Sequence, residues 1–206
     1  METSTVFVVQ PDAGVRESIK MLVRSVGLAA EVFGSAREFL AAFDGSRSGC
    51  VVANPNPSDM SGLELQERLN ERGESIPFIF VTGTSDVSTA VRAMRAGAVD
   101  FIEEPFNPAS LLARIQEAVR QDASARAEQI RKTEIRRRLA LLTQREREVL
   151  GLVVGGHSNK QVAAELHVTE KTVEHHRAHV MRKLQAETVA DLVRLAMLSE
   201  TLLETQ

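Results

Sequence analysis

LTQREREVLGLVVGGHSNKQVAAELHVTEKTVEHHRAHVMRKLQAETVADLVRLAML, residues 142–198, carries the pattern around which the chain is organised. Thr143 is a good helix N-cap and Glu146 stands three residues on, a capping box that opens a helix whose Val149, Leu150, Leu152 and Val153 form one apolar stripe. Gly155-Gly156 stops it. A second short helix starts at Ser158 or Asn159 and buries Val162, Ala163 and Leu166, and a tight turn leads to Thr169. Thr169 caps a third helix in which Val173, His176, Val180, Met181 and Leu184 repeat at three- and four-residue spacing and face a core. The opposite face carries Lys171, Glu174, His175, Arg177, Ala178, Arg182 and Lys183. Two helices joined by a tight turn, the second with a polar and partly basic outer face, have the geometry that lays a helix into the major groove of DNA.

The wording of these segments is more specific than their geometry. LTxREREVL, G-x-SNKQVA, TEKTVEHHRAHVMRKL and ADLVRLA together resemble the LuxR-type helix-turn-helix of FixJ/NarL-family regulators over the whole domain. The resemblance and the helix geometry imply that Glu174, His175 and Ala178 point at base edges. They also imply that Lys171, Thr172, Arg177, Arg182 and Lys183, with Asn159 and Lys160 from the preceding helix, lie towards phosphates. The last helix, Val189 to Leu203, is expected to expose Leu192, Leu195, Ala196 and Leu203 as a dimer seam, which matches a roughly two-fold symmetric site on double-stranded DNA.

Length and composition leave room for a second domain. The chain has 206 residues, 43% of them apolar, and a formal net charge of −3, which disfavours a nonspecific nucleic-acid coat but permits local basic patches. The longest apolar runs are strand-length and no basic region precedes the apolar N-terminal run, so no membrane or targeting segment is expected and the location is read as cytoplasmic. The one cysteine, Cys50, opens the apolar run Cys50-Val51-Val52-Ala53 and reads as a buried thiol; it excludes an internal disulfide and a cysteine-cluster metal site. The absence of Trp and Tyr argues against an aromatic-lined ligand cage.

Residues 5–118 alternate short β-branched runs with helical patterns. Strands are expected at 6–9, 30–33, 50–53, 78–81 and 99–102, and helices at 13–26, 36–42, 61–72, 87–96 and 108–120. Five βα units with continuously apolar strands imply an α/β domain with a parallel sheet wrapped by helices. Ligand chemistry in such sheets sits beyond the carboxyl ends of the strands, which here carry Gln10-Pro11-Asp12, Asn54-Pro55-Asn56, Thr82-Gly83 and Glu103-Glu104-Pro105. Val15-Arg16-Glu17-Ser18, Asp59-Met60-Ser61-Gly62, Pro77 to Gly83 and Ala90 to Phe106 (AVRAMRAGAVDFIEEPF) resemble the flavodoxin-like (βα)5 receiver domain of response regulators, FixJ subfamily. The expected layout is a receiver-like domain at 1–120, a helical linker at 121–138 without Gly or Pro, and an all-α four-helix DNA-binding domain at 139–206.

The resemblance breaks at the chemistry. A working receiver uses an aspartate nucleophile after the third strand, two acids after the first to hold Mg²⁺, a hydroxyl after the fourth and a lysine after the fifth. Those positions read Asn54, Gln10, Pro11, Thr82 and Glu104, with Asp12 adjacent, so the pocket is expected to be degenerate, with no catalytic residues, no metal and no cofactor. Two readings of it stand open: a relic satisfied by water, or a site for a different small ligand or protein partner. The resemblance further implies a switch pair, Thr82 and Phe101, and receiver homodimers through Ser88, Val91, Arg92 and Arg95. The function expected is a sequence-specific DNA-binding transcription factor working without phosphorylation; the alternatives are a protein that heterodimerises with an intact regulator, and a phosphodonor hydrolase.

Overall fold

The computed structural model describes residues 4–56, 60–83 and 87–203, with side chains through Leu198. Two compact units divide the chain, Met1–Ala127 and Glu128–Gln206.

The first unit is built on five strands: β1 (Thr5–Val9), β2 (Ala29–Phe33), β3 (Gly49–Ala53), β4 (Phe78–Thr82) and β5 (Asp100–Glu103). They lie in the order β2-β1-β3-β4-β5, every pair parallel. Helices α1 (Ala13–Arg24), α2 (Ala36–Ala42), α3 (Gly62–Glu71), α4 (Val87–Arg95) and α5 (Pro108–Ala140) make the crossovers. The central strands β1, β3 and β4 are buried at every position because both sheet faces are covered, and the period of two sorts their side chains. Phe7, Val9, Val51, Phe78 and Phe80 enter one core with Phe39, Leu65 and Leu69. Val6, Val8, Cys50, Val52, Ile79 and Val81 enter the other with Ile19, Val23, Leu111 and Ile115. Edge-to-face contacts of Phe7 with Phe39 (5.5 Å) and Phe43 (5.4 Å) hold α2 on the first core. Ser35 and Ser61 cap α2 and α3 by accepting from the third backbone amide of each helix.

Element types follow the sequence expectation, and boundaries move by a residue or two except at α5. Alanine and i,i+4 charge pairs carry that helix on without a break, Glu128 standing 4.0 Å from Lys132. Residues expected to be pure linker are docked in the first unit: Asp122 is 3% exposed and accepts from the Gly49 amide at 2.8 Å, while Arg126 binds Asp122 (2.9 Å) and the Gly45 carbonyl (2.9 Å).

In the second unit, α6 (Gln144–Val154), α7 (Asn159–Glu165), α8 (Glu170–Leu184) and α9 (Val189–Leu203) surround a core of Leu142, Val149, Val162, Val173, Val180 and Leu184. The Thr143/Glu146 capping box is present, and Ser158 with Gln161 forms a second. Gly156 adopts φ +85° behind α6, which a side chain would resist. Leu192 corrects the expected seam: it is 1% exposed and belongs to the core, and Leu195 packs partly against it. Val189 (40% exposed) and Met197 (63%) are the open apolar side chains of α9, while the Leu203 side chain lies outside the described set.

Burial pushes the Cys50 thiol up to about 12, with the Asp122 carboxylate adding to the effect. A thiol-specific disulfide reagent at pH 8 is therefore expected to leave the native protein unlabelled and to label it once denaturant opens the sheet; rapid labelling of native protein would contradict this burial.

Candidate functional site

Two places gather the functional side chains. At the carboxyl end of the sheet, Gln10 is 1% exposed and donates from Nε2 to the Val81 carbonyl at 3.0 Å, so its carboxamide braces β1 against β4. Asp12 caps α1, its Oδ1 accepting from the Val15 amide at 2.8 Å. Arg16, quoted within a motif but not singled out from sequence, turns its guanidinium onto the carbonyls of Gln10 (2.5 Å) and Pro11 (3.1 Å). Asn54 Oδ1 accepts from the Asn56 amide at 2.9 Å, an Asx turn, and Asn56 Nδ2 donates to Thr82 Oγ1 at 3.3 Å. Asn56 thus joins Asn54 to Thr82; it was visible in sequence only as the end of a loop. Pro57 and Asp59 lie outside the described residues.

The room beside these groups is unevenly distributed. Between Pro11, Asn54, Asn56, Met60 and Gly62 an enclosed space of about 10 Å³ remains, and a Cβ at Gly62 would stand 2.3 Å from the Asn54 carbonyl oxygen. On the α1 side an open groove of about 710 Å³ runs past Asp12, Val15, Ser18, Glu104 and Phe106. Glu104 therefore shares a groove with Asp12 that Asn54 does not line. The expected switch pair lies on neighbouring strands but not opposite each other: Thr82, 1% exposed at the end of β4, pairs in register with Glu103, whereas Phe101 on β5 pairs with Phe80 and packs on it, ring centroids 6.2 Å apart. Phe101 also floors a second open groove, about 750 Å³, walled by Val87, Val91, Met94 and Arg95 of α4.

The other place is α8. Lys171, Glu174, His175, Ala178 and Arg182 are all exposed and form one continuous stripe at three- and four-residue spacing, opposite the buried Val173, Val180 and Leu184. Thr172 answers its own cap, its amide and hydroxyl both meeting Thr169 Oγ1. Arg177 Nη1 donates to Asn159 Oδ1 at 2.5 Å, joining two of the expected phosphate-side residues across α7 and α8, and Lys160 is exposed beside them.

Lys183 departs from its expected place. Its ammonium donates to Glu146 Oε2 at 2.6 Å and to the Leu141 carbonyl at 3.1 Å, so it ties α8 to α6. Glu146 is 3% exposed and also accepts from the Thr143 amide at 2.7 Å, with His179 Nδ1 at 3.6 Å from its other oxygen. Burial alone would raise this carboxyl, but the Lys183 ammonium and the Thr143 amide and hydroxyl outweigh it and hold the group at about 2. The signal was present in sequence as the N3 glutamate of the capping box, though nothing there showed its second partner.

Comparison with known proteins follows the same division. Residues 6–116 match the response regulator receiver domain, and residues 140–196 match the bacterial regulatory proteins of the luxR family. The chain belongs to the FixJ/LuxR-type response regulators, DNA-binding regulators of transcription and not enzymes. It is 40% identical to the response regulator protein TodT of Pseudomonas putida over 93% of this chain and 85% of that one. It is 39% identical to the transcriptional regulatory protein FixJ of Bradyrhizobium diazoefficiens over 93% and 94%. Among solved structures, the response regulator StyR matches with a TM-score of 0.89 at 38% identity, covering 95% of this chain and 98% of that one. Full-length FixJ from B. japonicum matches at 0.60 and 37%, covering 98% and 99%. No described helix is long and apolar enough to cross a membrane.

Glu146 titrates at about 4.5 unfolded and about 2 folded, so its contribution to stability is complete above about 4.5 and is lost as pH falls towards 2. Glu146→Gln is expected to lower stability at pH 7 by about 1.5–3 kcal/mol, the worth of a hydrogen bond to a charged group. It should also flatten the acid limb of the denaturation midpoint followed by circular dichroism; an unchanged acid limb would show the pair to be idle.

Proposed function

We propose that this protein is a sequence-specific DNA-binding regulator of transcription whose receiver works without phosphorylation. The single observation that carries the second half is the set of side chains at the end of the sheet. Asn54 ends β3 as a carboxamide that cannot form an acyl phosphate, and its oxygen already accepts from the Asn56 amide. Backbone-driven deamidation of Asn54 to aspartate is closed, because Pro55 has no amide nitrogen to attack it.

A receiver's Mg²⁺ does not fit this donor set. Gln10 spends its amide on Val81 and Pro11 has no side-chain oxygen. Asp12 caps α1, and the space beside Asn54 is about one water in size. Where the family's lysine would draw in a phosphoryl group, Glu104 would repel it by roughly 1–4 kcal/mol at about 4 Å, depending on the effective dielectric. Asp12 and Glu104 on one groove favour a cation-bearing or amide-rich occupant. With no phosphoryl group to alter the α4–β5 face, we take that face, with Val91 and Arg95 at its rim, as the receiver's homodimer surface. The exposed Val189 and Met197 of α9 are the candidate second seam. The protein is placed in the cytoplasm, where its DNA is.

On DNA, the exposed stripe of α8 supports Glu174, His175 and Ala178 as base-edge readers. Lys171, Thr172, Arg182, Lys160 and the Arg177–Asn159 pair are assigned to the backbone. Lys183 leaves the set, because its ammonium is engaged by Glu146.

Intact mass after acetyl phosphate and Mg²⁺ is expected to be unchanged for the native chain and for Asn54→Asp alone, since the metal ligands stay absent and Glu104 stays in place. A phosphate adduct on either would overturn the reading. Selection from a random duplex pool should yield a two-fold symmetric site. On it, Glu174→Ala should relax preference at one position per half-site by about 5–150-fold, the value of a 1–3 kcal/mol base contact. Lys171→Ala should weaken all sequences alike and reduce the salt slope by about one.

A further inference from the structure

His175 and His179 stand one helical turn apart on α8, and their rings are in contact, centroids 4.1 Å apart at an interplanar angle of 53°. His175 lies in the exposed stripe of the helix and His179 at its flank, its side chain 33% exposed, next to Arg182. None of the assignments so far uses His179. We propose that His179, with His175 against it, is a proton-linked contact to the DNA backbone: when a phosphate oxygen docks at the pair, His179 takes up a proton and binds as an imidazolium, so α8 holds DNA more tightly as pH falls.

The surroundings of His179 explain why the proton arrives with the DNA. Charged groups face it from two directions. From α6 comes the Glu146 carboxylate, 3.6 Å from Nδ1; from its own helix come His175, Arg182 and Lys183, with His176 beyond His175 at a ring distance of 6.2 Å. α7 presents Asn159, already bonded to Arg177. Loss of hydration, the His175 ring and the Arg182 and Lys183 cations hold the His179 pKa below its ordinary 6.5, against the opposing pull of Glu146. Free protein at neutral pH therefore carries His179 neutral. Glu146 supplies the missing counter-charge only in part: its Oε1 stands 3.6 Å from Nδ1, beyond hydrogen-bond distance, while Lys183 and the Thr143 amide bind its Oε2. A DNA phosphate supplies it: an anion at hydrogen-bond distance favours the charged imidazole and also screens the cations that oppose it.

The proposal rests on α8 lying on DNA, and one set of titrations separates the two claims. Binding of the full-length protein to a mixed-sequence DNA duplex is measured between about pH 5.5 and 7.5 at fixed ionic strength, in buffers of different ionisation enthalpy so that calorimetry counts the protons taken up. Expected is net proton uptake, with affinity rising by up to about tenfold per pH unit for each protomer bound. His179→Gln should abolish the uptake and flatten the slope, whereas His179→Arg should bind at pH 7.5 about as tightly as the native chain does at low pH. His175→Gln removes the opposing ring and should move the same slope to higher pH. Circular dichroism establishes that each variant is folded. A native slope that survives in His179→Gln, or binding without proton uptake, overturns the proposal while leaving α8 as the reading helix. No complex at any pH overturns the placement of α8 on DNA, and the proposal with it.

Discussion

A buried carboxylate decides whether the second unit can present a reading surface at all. Glu146 sits where two helices meet: it closes the cap of α6 through the Thr143 amide, binds Lys183 near the end of α8 and stands beside His179 in the middle of α8. Leaving such a carboxylate uncompensated costs more than the bond itself returns, so the pairing fixes the rotation of α8 about its own axis. That rotation is what puts Lys171, Glu174, His175, Ala178 and Arg182 on the outside. The same pairing uses up a cation at the helix end, and so makes the stripe less basic than its composition suggests.

At the sheet's carboxyl end the constraint is different. Strand ends converge there in any parallel sheet of this kind, and the backbone groups and side chains they carry must be satisfied whatever chemistry is lost. Here hydrogen bonds within the chain satisfy them. Gln10 reaches Val81, Arg16 reaches the Gln10 and Pro11 carbonyls, and Asn54, Asn56 and Thr82 form a chain of two bonds. The groups that meet there are largely neutral amides, which bond to one another and to backbone carbonyls. This is also why the space beside Asn54 is nearly filled while the open groove lies past Asp12 and Glu104.

Most of the fold was legible because each local signal agreed with the tertiary one. The valine-rich runs at Val6–Val9 and Cys50–Ala53 allow only strands covered on both faces, and Thr143, Ser158 and Thr169 mark where helices begin. Three places have a destination that spacing alone does not settle. Leu192 fits an apolar seam or a core by spacing alone, and core contact took it. Lys183 reads as a phosphate ligand until Glu146, 37 residues away, is brought to it. The helical pattern at 121–126 says helix but not where that helix docks; Asp122 and Arg126 fix this through the backbone of Gly49 and Gly45, partners that have no side-chain signature. Asn56 was missed for a related reason, since its role depends on Thr82 from another strand.

On the proposed reading the receiver takes no phosphoryl group, and its output has to be set another way. A covalent signal shifts a two-state equilibrium because one state binds the new charge better, and a shift from 1:99 to 99:1 needs about 5.5 kcal/mol of such preference. Without that source, the populations at the α4–β5 face are set by the sequence itself, through the Asn54–Asn56–Thr82 bonds at one end and the packing of Phe101 on Phe80 at the other. Under the same proposal, dimerisation through that face would follow protein concentration by mass action, and occupancy of a two-fold site would rise with the square of monomer concentration until dimers dominate. On the proposed reading, the amount of protein in the cell carries the information that phosphorylation carries in an intact receiver. Any ligand of the Asp12–Glu104 groove would act only to the extent that it prefers one arrangement of the α4–β5 face over the other.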